Sequence, residues 1–196
     1  MKPPIYSISE DDENFAAVAA DILEKDGVIA FPTDSIYGLL IKYTDENAKK
    51  LHAIRNRPVS KPFIALISSS YNWKDLIDDK KLNACADAYI ETYWPGKLSL
   101  ILPKNPQFKY PEGETIAVRM PKKEDNVYLT TLLEKIKFPV LAPSANLSGD
   151  EPLQNPEDIQ LVFQEKIDAV FSLAGYKPTG PSDIWDLSRF PFRQIR

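Results

Sequence analysis

Apolar residues recur along this chain at two spacings, and the alternation between them is its first structural signal. Phe15, Val18, Ala19, Ile22 and Leu23 share one face at helical spacing until Gly27. Ser9, with Asp12 three residues on, has the form of a cap for that helix start. Thr44 precedes a segment whose Ala48, Leu51 and Ile54 fall on one face, which predicts a second helix. Helical patterns follow at about 81–93, 126–137 and 156–165. Short apolar runs bounded by turn residues predict strands at 28–31, 63–67, 98–102, 115–120, 140–142, 169–173 and 183–187. Helices interleaved with single strands and strand pairs indicate an α/β or α+β domain built on a twisted mixed β-sheet with flanking helices.

No period of 20 to 50 residues recurs, no low-complexity linker divides the chain, and the 17 prolines are scattered beside apolar runs. We therefore expect one domain, 1–196, long enough to close a single substantial core. With 43% hydrophobic and 27% charged residues, the composition argues against disorder. No apolar run approaches the ~20 residues that span a bilayer, and the N-terminal residues carry no apolar signal region. The one cysteine, Cys85, rules out an internal disulfide framework and fits a reducing cytosol, so a cytoplasmic location with no membrane partner is expected. A net charge of −4 weakens a nucleic-acid-binding reading and makes any anion site depend on a few well-placed groups.

Several chemistries are disfavoured by what the chain lacks. Its one histidine, His52, lies mid-helix between Leu51 and Ala53 and reads as a packing or solvated side chain. Cys85 falls on an apolar-looking helix face and reads as a core residue. No Cys/His cluster has metal-ligand spacing, and with seven glycines there is no Gly-rich phosphate loop.

Five segments concentrate hydroxyl, cationic and amide groups beside apolar strands. The first is Pro32-Thr33-Asp34-Ser35-Ile36-Tyr37-Gly38, which alone reads equally as an Asx-type turn closed by glycine. The second, 55–62, packs Arg55, Arg57 and Lys61 between prolines, either to fork onto phosphate or carboxylate oxygens or to complement a helix end. In the third, Arg119 interrupts the apolar strand at 115–121 and needs an anionic partner, from the protein or from a ligand. The fourth and fifth, 142–149 and 180–186, are strand-to-loop transitions rich in small hydrogen-bonding groups, the last leading to Arg196.

Taken together these segments resemble the YrdC-like L-threonylcarbamoyladenylate synthase family. Its motifs P-T-D/E-S/T-x-Y-G-L, K-x-R-P-x-x-K/N-P, W-P-G-x-L/V-S/T, A/V-V-R-x-P, S-A-N-x-S-G and P-S-x-I-x-D occur here in order at 32–39, 55–62, 94–99, 117–121, 144–149 and 181–186. The resemblance implies a single YrdC-like domain with a large concave ligand cavity. It implies a reaction that turns L-threonine, bicarbonate and ATP into threonylcarbamoyl-AMP and pyrophosphate, with Mg2+ carried on the ATP. The product would serve N6-threonylcarbamoyladenosine formation at position 37 of tRNA, with tRNA reached only through a downstream transferase complex. Residue by residue, it implies Arg55, Arg57, Ser144 and Asn146 as catalytic and Thr33, Ser35, Arg119, Ala142 and Ser182 around threonine. Arg57, Lys61, Thr115, Ser144, Pro152 and Arg196 would lie around ATP, with no resident metal, in a monomer or weak dimer.

Three positions depart from the pattern: Arg55 replaces a lysine, Lys97 a proline and Asp183 a threonine. Arginine keeps the charge of lysine but is planar and does not readily give up a proton. The chain stops at Arg196, which predicts no further C-terminal domain of the kind longer relatives carry. The competing readings are an RNA-binding or nucleotide-binding module of the same fold without turnover, and a related carbamoyl-transfer domain.

Overall fold

Four of the helices begin where a polar side chain satisfies a backbone donor that the helix itself leaves unpaired. Thr44 caps α2 (Asp45–Ile54), Asn83 caps α3 (Ala84–Tyr93), Asn126 caps α4 (Val127–Ile136) and Asn155 caps α5 (Pro156–Phe163). The computed structural model describes residues 2–9 and 14–196. Helix α1 (Asn14–Glu24) accordingly starts at the edge of the described region, and Asp12 of the expected Ser9–Asp12 cap lies outside it. Asp26 takes the left-handed turn after α1, at φ 58°. Gly27 then donates to the Ile22 carbonyl at 2.9 Å, where any Cβ would meet Ile22 at 2.5–2.7 Å.

Ten strands form one mixed sheet. In chain order they are β1 (Ile5–Ile8), β2 (Ile29–Pro32), β3 (Tyr37–Lys42), β4 (Ile64–Leu66), β5 (Leu98–Pro103), β6 (Thr115–Arg119), β7 (Val140–Leu141), β8 (Ala169–Leu173), β9 (Asp183–Asp186) and β10 (Arg193–Gln194). Their spatial order is β1-β8-β2-β3-β7-β4-β6-β5-β9-β10. Parallel pairs such as β4–β6 and β5–β9 sit beside antiparallel ones such as β2–β3 and β4–β7, as expected for a mixed α/β sheet.

Strict alternation of side chains divides the interior into two cores. Ala30, Leu39, Ile41, Ala65, Val118 and Leu141 face one layer with residues of α2, α3 and α5. Ile29, Phe31, Leu40, Leu66, Val140 and Phe171 face the other, against α1 and α4. On that second face the helical cover runs over β2, β3 and β7. Farther along the sheet the same row of positions holds Ile64, half-buried against this core, and then Ala117 and Arg119, by the register Ile64↔Ala117 and Leu66↔Arg119. The concavity described below opens there.

Three strands, β1, β3 and β10, have no counterpart in the sequence pattern. β3 continues directly from a segment whose polar start reads as loop, and β1 and β10 are short pieces at the two sheet edges. Cys85 is a correction of a different kind, because it is exposed rather than in the core. The buried face of α3 is Ala86 and Ile90, and Cys85 lies one residue, about 100°, off that face.

Candidate active site

The loop joining β2 to β3 is a four-residue hairpin turn, Thr33 to Ile36, and Thr33 organises it. Its hydroxyl donates to the Ile36 carbonyl at 2.7 Å, accepts from the Ser35 amide at 3.2 Å and lies 3.1 Å from the Ser35 hydroxyl. The turn is therefore set by a threonine, not an aspartate, side chain. Asp34 points away from the local backbone, and its Oδ1 accepts from Nη2 of Arg119, at the end of β6. Both partners are almost wholly buried, at 4% exposure each.

On the neighbouring strands, α2 ends at Arg55, Asn56 adopts φ 49°, and Arg57 follows. That left-handed residue lets two arginines two positions apart turn into the same space. Arg55 is buried and held by a second loop. Its Nε donates to the Asn146 carbonyl at 2.8 Å, and its Nη2 to Asn146 Oδ1 at 2.6 Å and to Ser144 Oγ at 3.3 Å. Ser144 Oγ also donates to Asn146 Oδ1 at 2.6 Å, and the Ser148 amide donates to the Arg55 carbonyl at 2.8 Å. Both guanidinium groups lie over the Phe63 ring, at 5.9 Å for Arg55 and 5.6 Å for Arg57. His52 fixes the Arg57 backbone, its Nδ1 lying 3.1 Å from the Arg57 carbonyl.

On the far side, Ser182 Oγ lies 2.9 Å from Ser99 Oγ, and its carbonyl accepts from Nε and Nη2 of Arg196 at 3.1 and 2.9 Å. These segments enclose a cavity of about 240 Å3 lined by Thr33, Ser35, Arg55, Arg57, Arg119, Ala142, Ser144, Ser182 and Arg196, with apolar walls from Phe63, Ile64 and Ile184. Four guanidinium groups line it and, among the described residues, no acidic side chain does. Burial pulls Arg55 and Arg119 down to about 10 and lowers Arg57 as well, so all three stay charged at neutral pH. Arg55 has no carboxylate among its partners in the described residues. A buried cation satisfied only by amide and hydroxyl oxygens is an anion-binding arrangement.

Of the residues singled out in the sequence, Thr33, Ser35, Arg119, Ala142 and Ser182 line this cavity together, as do Arg55, Arg57, Ser144 and Arg196. Asn146 stands behind Arg55 as its anchor. Lys61, Thr115 and Pro152 are not brought to the cavity wall. Lys61 is exposed, and its contribution is a carbonyl that accepts from Arg57 Nε at 2.9 Å. Thr115 opens β6, four residues and therefore about 13 Å from Arg119 at the other end. Pro152 turns its carbonyl to Gln154, whose Oε1 in turn accepts from the Tyr37 amide.

Sequence reasoning missed Phe63, the partner of Asp34 and the supporting Ser99, whereas His52 is the packing side chain expected, stacked on Phe63 at 4.2 Å. The apolar run at 63–67 hid Phe63, whose role comes from its position between two arginines. Two prolines and a lysine beside it were the available signal.

Comparison with known proteins followed from this geometry. The Sua5/YciO/YrdC family model, described as telomere recombination, matches residues 21–196. A threonylcarbamoyl-AMP synthase of Bacillus subtilis (strain 168) is 35% identical over 182 residues, covering 90% of this chain and 49% of that protein. A threonylcarbamoyl-AMP synthase of Yersinia enterocolitica is 30% identical over 190 residues, covering 93% of this chain and 98% of that protein. The chain thus spans about half the length of the first relative and nearly all of the second. Among solved structures, that of Pyrococcus abyssi Sua5 complexed with L-threonine superposes with a TM-score of 0.85 at 29% identity, over 98% of this chain and 56% of that one.

Proposed function

This chain belongs to the Sua5/YciO/YrdC family, and on that footing we propose that it is an L-threonylcarbamoyladenylate synthase. It would form threonylcarbamoyl-AMP and pyrophosphate from L-threonine, bicarbonate and ATP. The observation that carries the reading is the cavity wall: four arginines, the hydroxyls of Thr33, Ser35, Ser144 and Ser182, and no acidic side chain among the described residues. Bicarbonate, the amino-acid carboxylate and the triphosphate are all anions, and bringing them together requires fixed cations that need no reorganisation during reaction.

In this proposal threonine lies against Thr33, Ser35, Ala142 and Ser182, with its carboxylate on Arg119. Its amine attacks bicarbonate to give a carbamate and release water. A carbamate oxygen then bonds to the α-phosphorus while the bond to the pyrophosphate leaving group breaks. Arg55, Arg57, Ser144 and Arg196 hold the phosphates and the carbonate. Nε and Nη2 of Arg55 are taken by Asn146 and Ser144, so its Nη1 edge is the one a ligand anion would meet. Among the described residues the wall offers no acidic side chain for a divalent ion, so Mg2+ is proposed to travel on the triphosphate. We further propose that the product is consumed by a tRNA-modifying transferase, in the cytosol. Among the described residues no helix is long and apolar enough to cross a membrane.

The test is pyrophosphate release from ATP with threonine and bicarbonate each present or omitted. Release that requires both is expected, and release indifferent to threonine overturns the reading. A second reading, binding without turnover, is favoured by Arg55 standing where the family pattern has lysine. It gains if wild type is inert and the Arg55→Lys variant turns over.

A further inference from the structure

Two almost wholly buried side chains in this site are left half-satisfied, and they face one another. Arg119 Nη2 donates to Asp34 Oδ1, yet Asp34 Oδ2 and Arg119 Nε have no hydrogen-bond partner among the described residues. The remaining buried side-chain atom in this condition is the Tyr176 hydroxyl, and Arg119 and Tyr176 lie close enough to act on each other's charge. Buried polar atoms without partners are rare in folded proteins because each forfeits its hydration. Asp34 and Tyr176 line a depression behind the cavity wall, so of the three only Arg119 belongs to a residue that faces the cavity.

We propose that Asp34 is a positioning residue that fixes the Arg119 guanidinium and, by balancing its charge, makes the amino-acid subsite select a zwitterion over a simple carboxylate. The ligand's identity rests on the synthase reading above. The roles of the two residues follow from where each sits. Arg119 lines the cavity, whereas Asp34 stands behind it and lines a separate depression with Asp125, Asn126, Tyr176 and Thr179. Asp34 is itself held on two sides. The Thr33 turn sets its chain direction, while Thr179 donates from its hydroxyl to the Asp34 carbonyl at 2.9 Å and from its amide to the Ser35 carbonyl at 2.8 Å.

A long guanidinium side chain in a dry site keeps one orientation only if something outside the ligand holds it. Nη2 of the Arg119 fork is spent on Asp34 and Nε is closed off by the surrounding protein, which leaves Nη1 for a carboxylate oxygen. With Asp34 charged, the pair is neutral before ligand arrives. An α-amino acid bearing both an ammonium and a carboxylate then enters without net repulsion, whereas an acid lacking the ammonium brings an uncompensated negative charge toward Asp34.

The experiment compares L-threonine with 3-hydroxybutyrate, which has the same carboxylate and hydroxyl but no amine. Binding of each is measured by isothermal titration, and threonine-dependent pyrophosphate release separately, in wild type and Asp34→Asn. We expect Asp34→Asn to raise the threonine KM at least tenfold with kcat within threefold. Its preference for threonine over 3-hydroxybutyrate, as a ratio of dissociation constants, should fall at least tenfold. A variant that melts earlier but keeps both the KM and that ratio overturns the proposal, since a purely structural carboxylate gives that result. So does wild-type protein that binds threonine no better than 3-hydroxybutyrate. If Asp34→Asn does not fold, Asp34→Glu carries the test, because it keeps the charge and displaces the carboxylate by one methylene. It should raise the threonine KM and keep the ligand preference, and an unchanged KM counts against positioning. Wild type that binds threonine selectively but releases no pyrophosphate removes the synthase reading and leaves the subsite standing.

Discussion

Arg55 and His52 show how single side chains set this site. Arg55 spends two of its nitrogens on Asn146 and Ser144, so Asn146→Ala removes both an acceptor for a buried cation and the brace that aims it. Because the same carboxamide also accepts from Ser144, the loss should lower kcat for pyrophosphate release by more than tenfold, while threonine binding by titration changes little. The His52 tautomer is dictated by its neighbours. The Arg57 carbonyl can only accept, so Nδ1 carries the proton, and Nε2 accepts from the Tyr110 hydroxyl at 3.2 Å. Tyr110 Oη in turn accepts from the Phe63 amide at 2.8 Å. Burial holds His52 below its ordinary 6.5, so the unfolded chain binds this proton more readily than the folded one. The stability it contributes is complete above pH 6.5 and drains away as pH falls below that value. Urea midpoints measured from pH 7.5 to pH 5 should therefore decline less steeply in His52→Phe than in wild type. At this scale the hydroxyls and arginines were legible because each sits in a short local motif. Asp34 was legible as a residue but not as a partner, since the arginine it meets is 85 positions away. Exposed Cys85 makes its own check: maleimide should label it in the native protein without loss of turnover.

At the level of elements, helices were easier to read than strands for a physical reason. A capped helix carries its signal within four residues, as Thr44, Asn126 and Asn155 do. A strand depends on partners elsewhere in the chain. The β2–β3 hairpin is the instructive case, because Pro32 pairs with Tyr37 across a turn whose polar residues masked the start of the second strand. β1 pairs with β8, some 165 residues later by the register Ile5↔Val170, and no local pattern could announce it. Asn126 joins the two levels. Besides capping α4, its Nδ2 donates to the Pro32 carbonyl at 2.9 Å, which ties the helix start to the end of β2 beside Thr33. Asn126→Ala should cost about 1–3 kcal/mol, the sum of a lost cap and a buried carbonyl left without its donor, read from urea unfolding at constant m-value.

For the whole molecule, charge and shape pull in opposite directions. The chain carries a net −4, yet the cavity wall presents four arginines and, among the described residues, no acidic side chain. A positive focus inside a negative envelope favours anions that reach the cavity and repels large polyanions from the remaining surface. The KM for ATP should accordingly rise by about threefold or more between 50 and 300 mM NaCl, as expected for partly screened charges. The KM for zwitterionic threonine should move much less, and steady-state kinetics at the two salt concentrations would check both. The global order of motifs was visible in the sequence, but not the way the sheet folds them over one another. β4, β6 and β9 are brought together by pairings that no local spacing encodes.

The breadth of chain that this wall draws on has a consequence for how the protein is born. Cavity residues run from Thr33 to Arg196, and Ser182 and Arg196 contribute only after most of the sheet has been made. On a ribosome, synthesis at ~5–20 residues per second leaves the nascent protein for several seconds without Asn146, which braces Arg55, and without the far wall. During that interval the emerging polypeptide can neither enclose a nucleotide nor exclude water from one. On the proposed function, competence for turnover arrives only with the last of these segments.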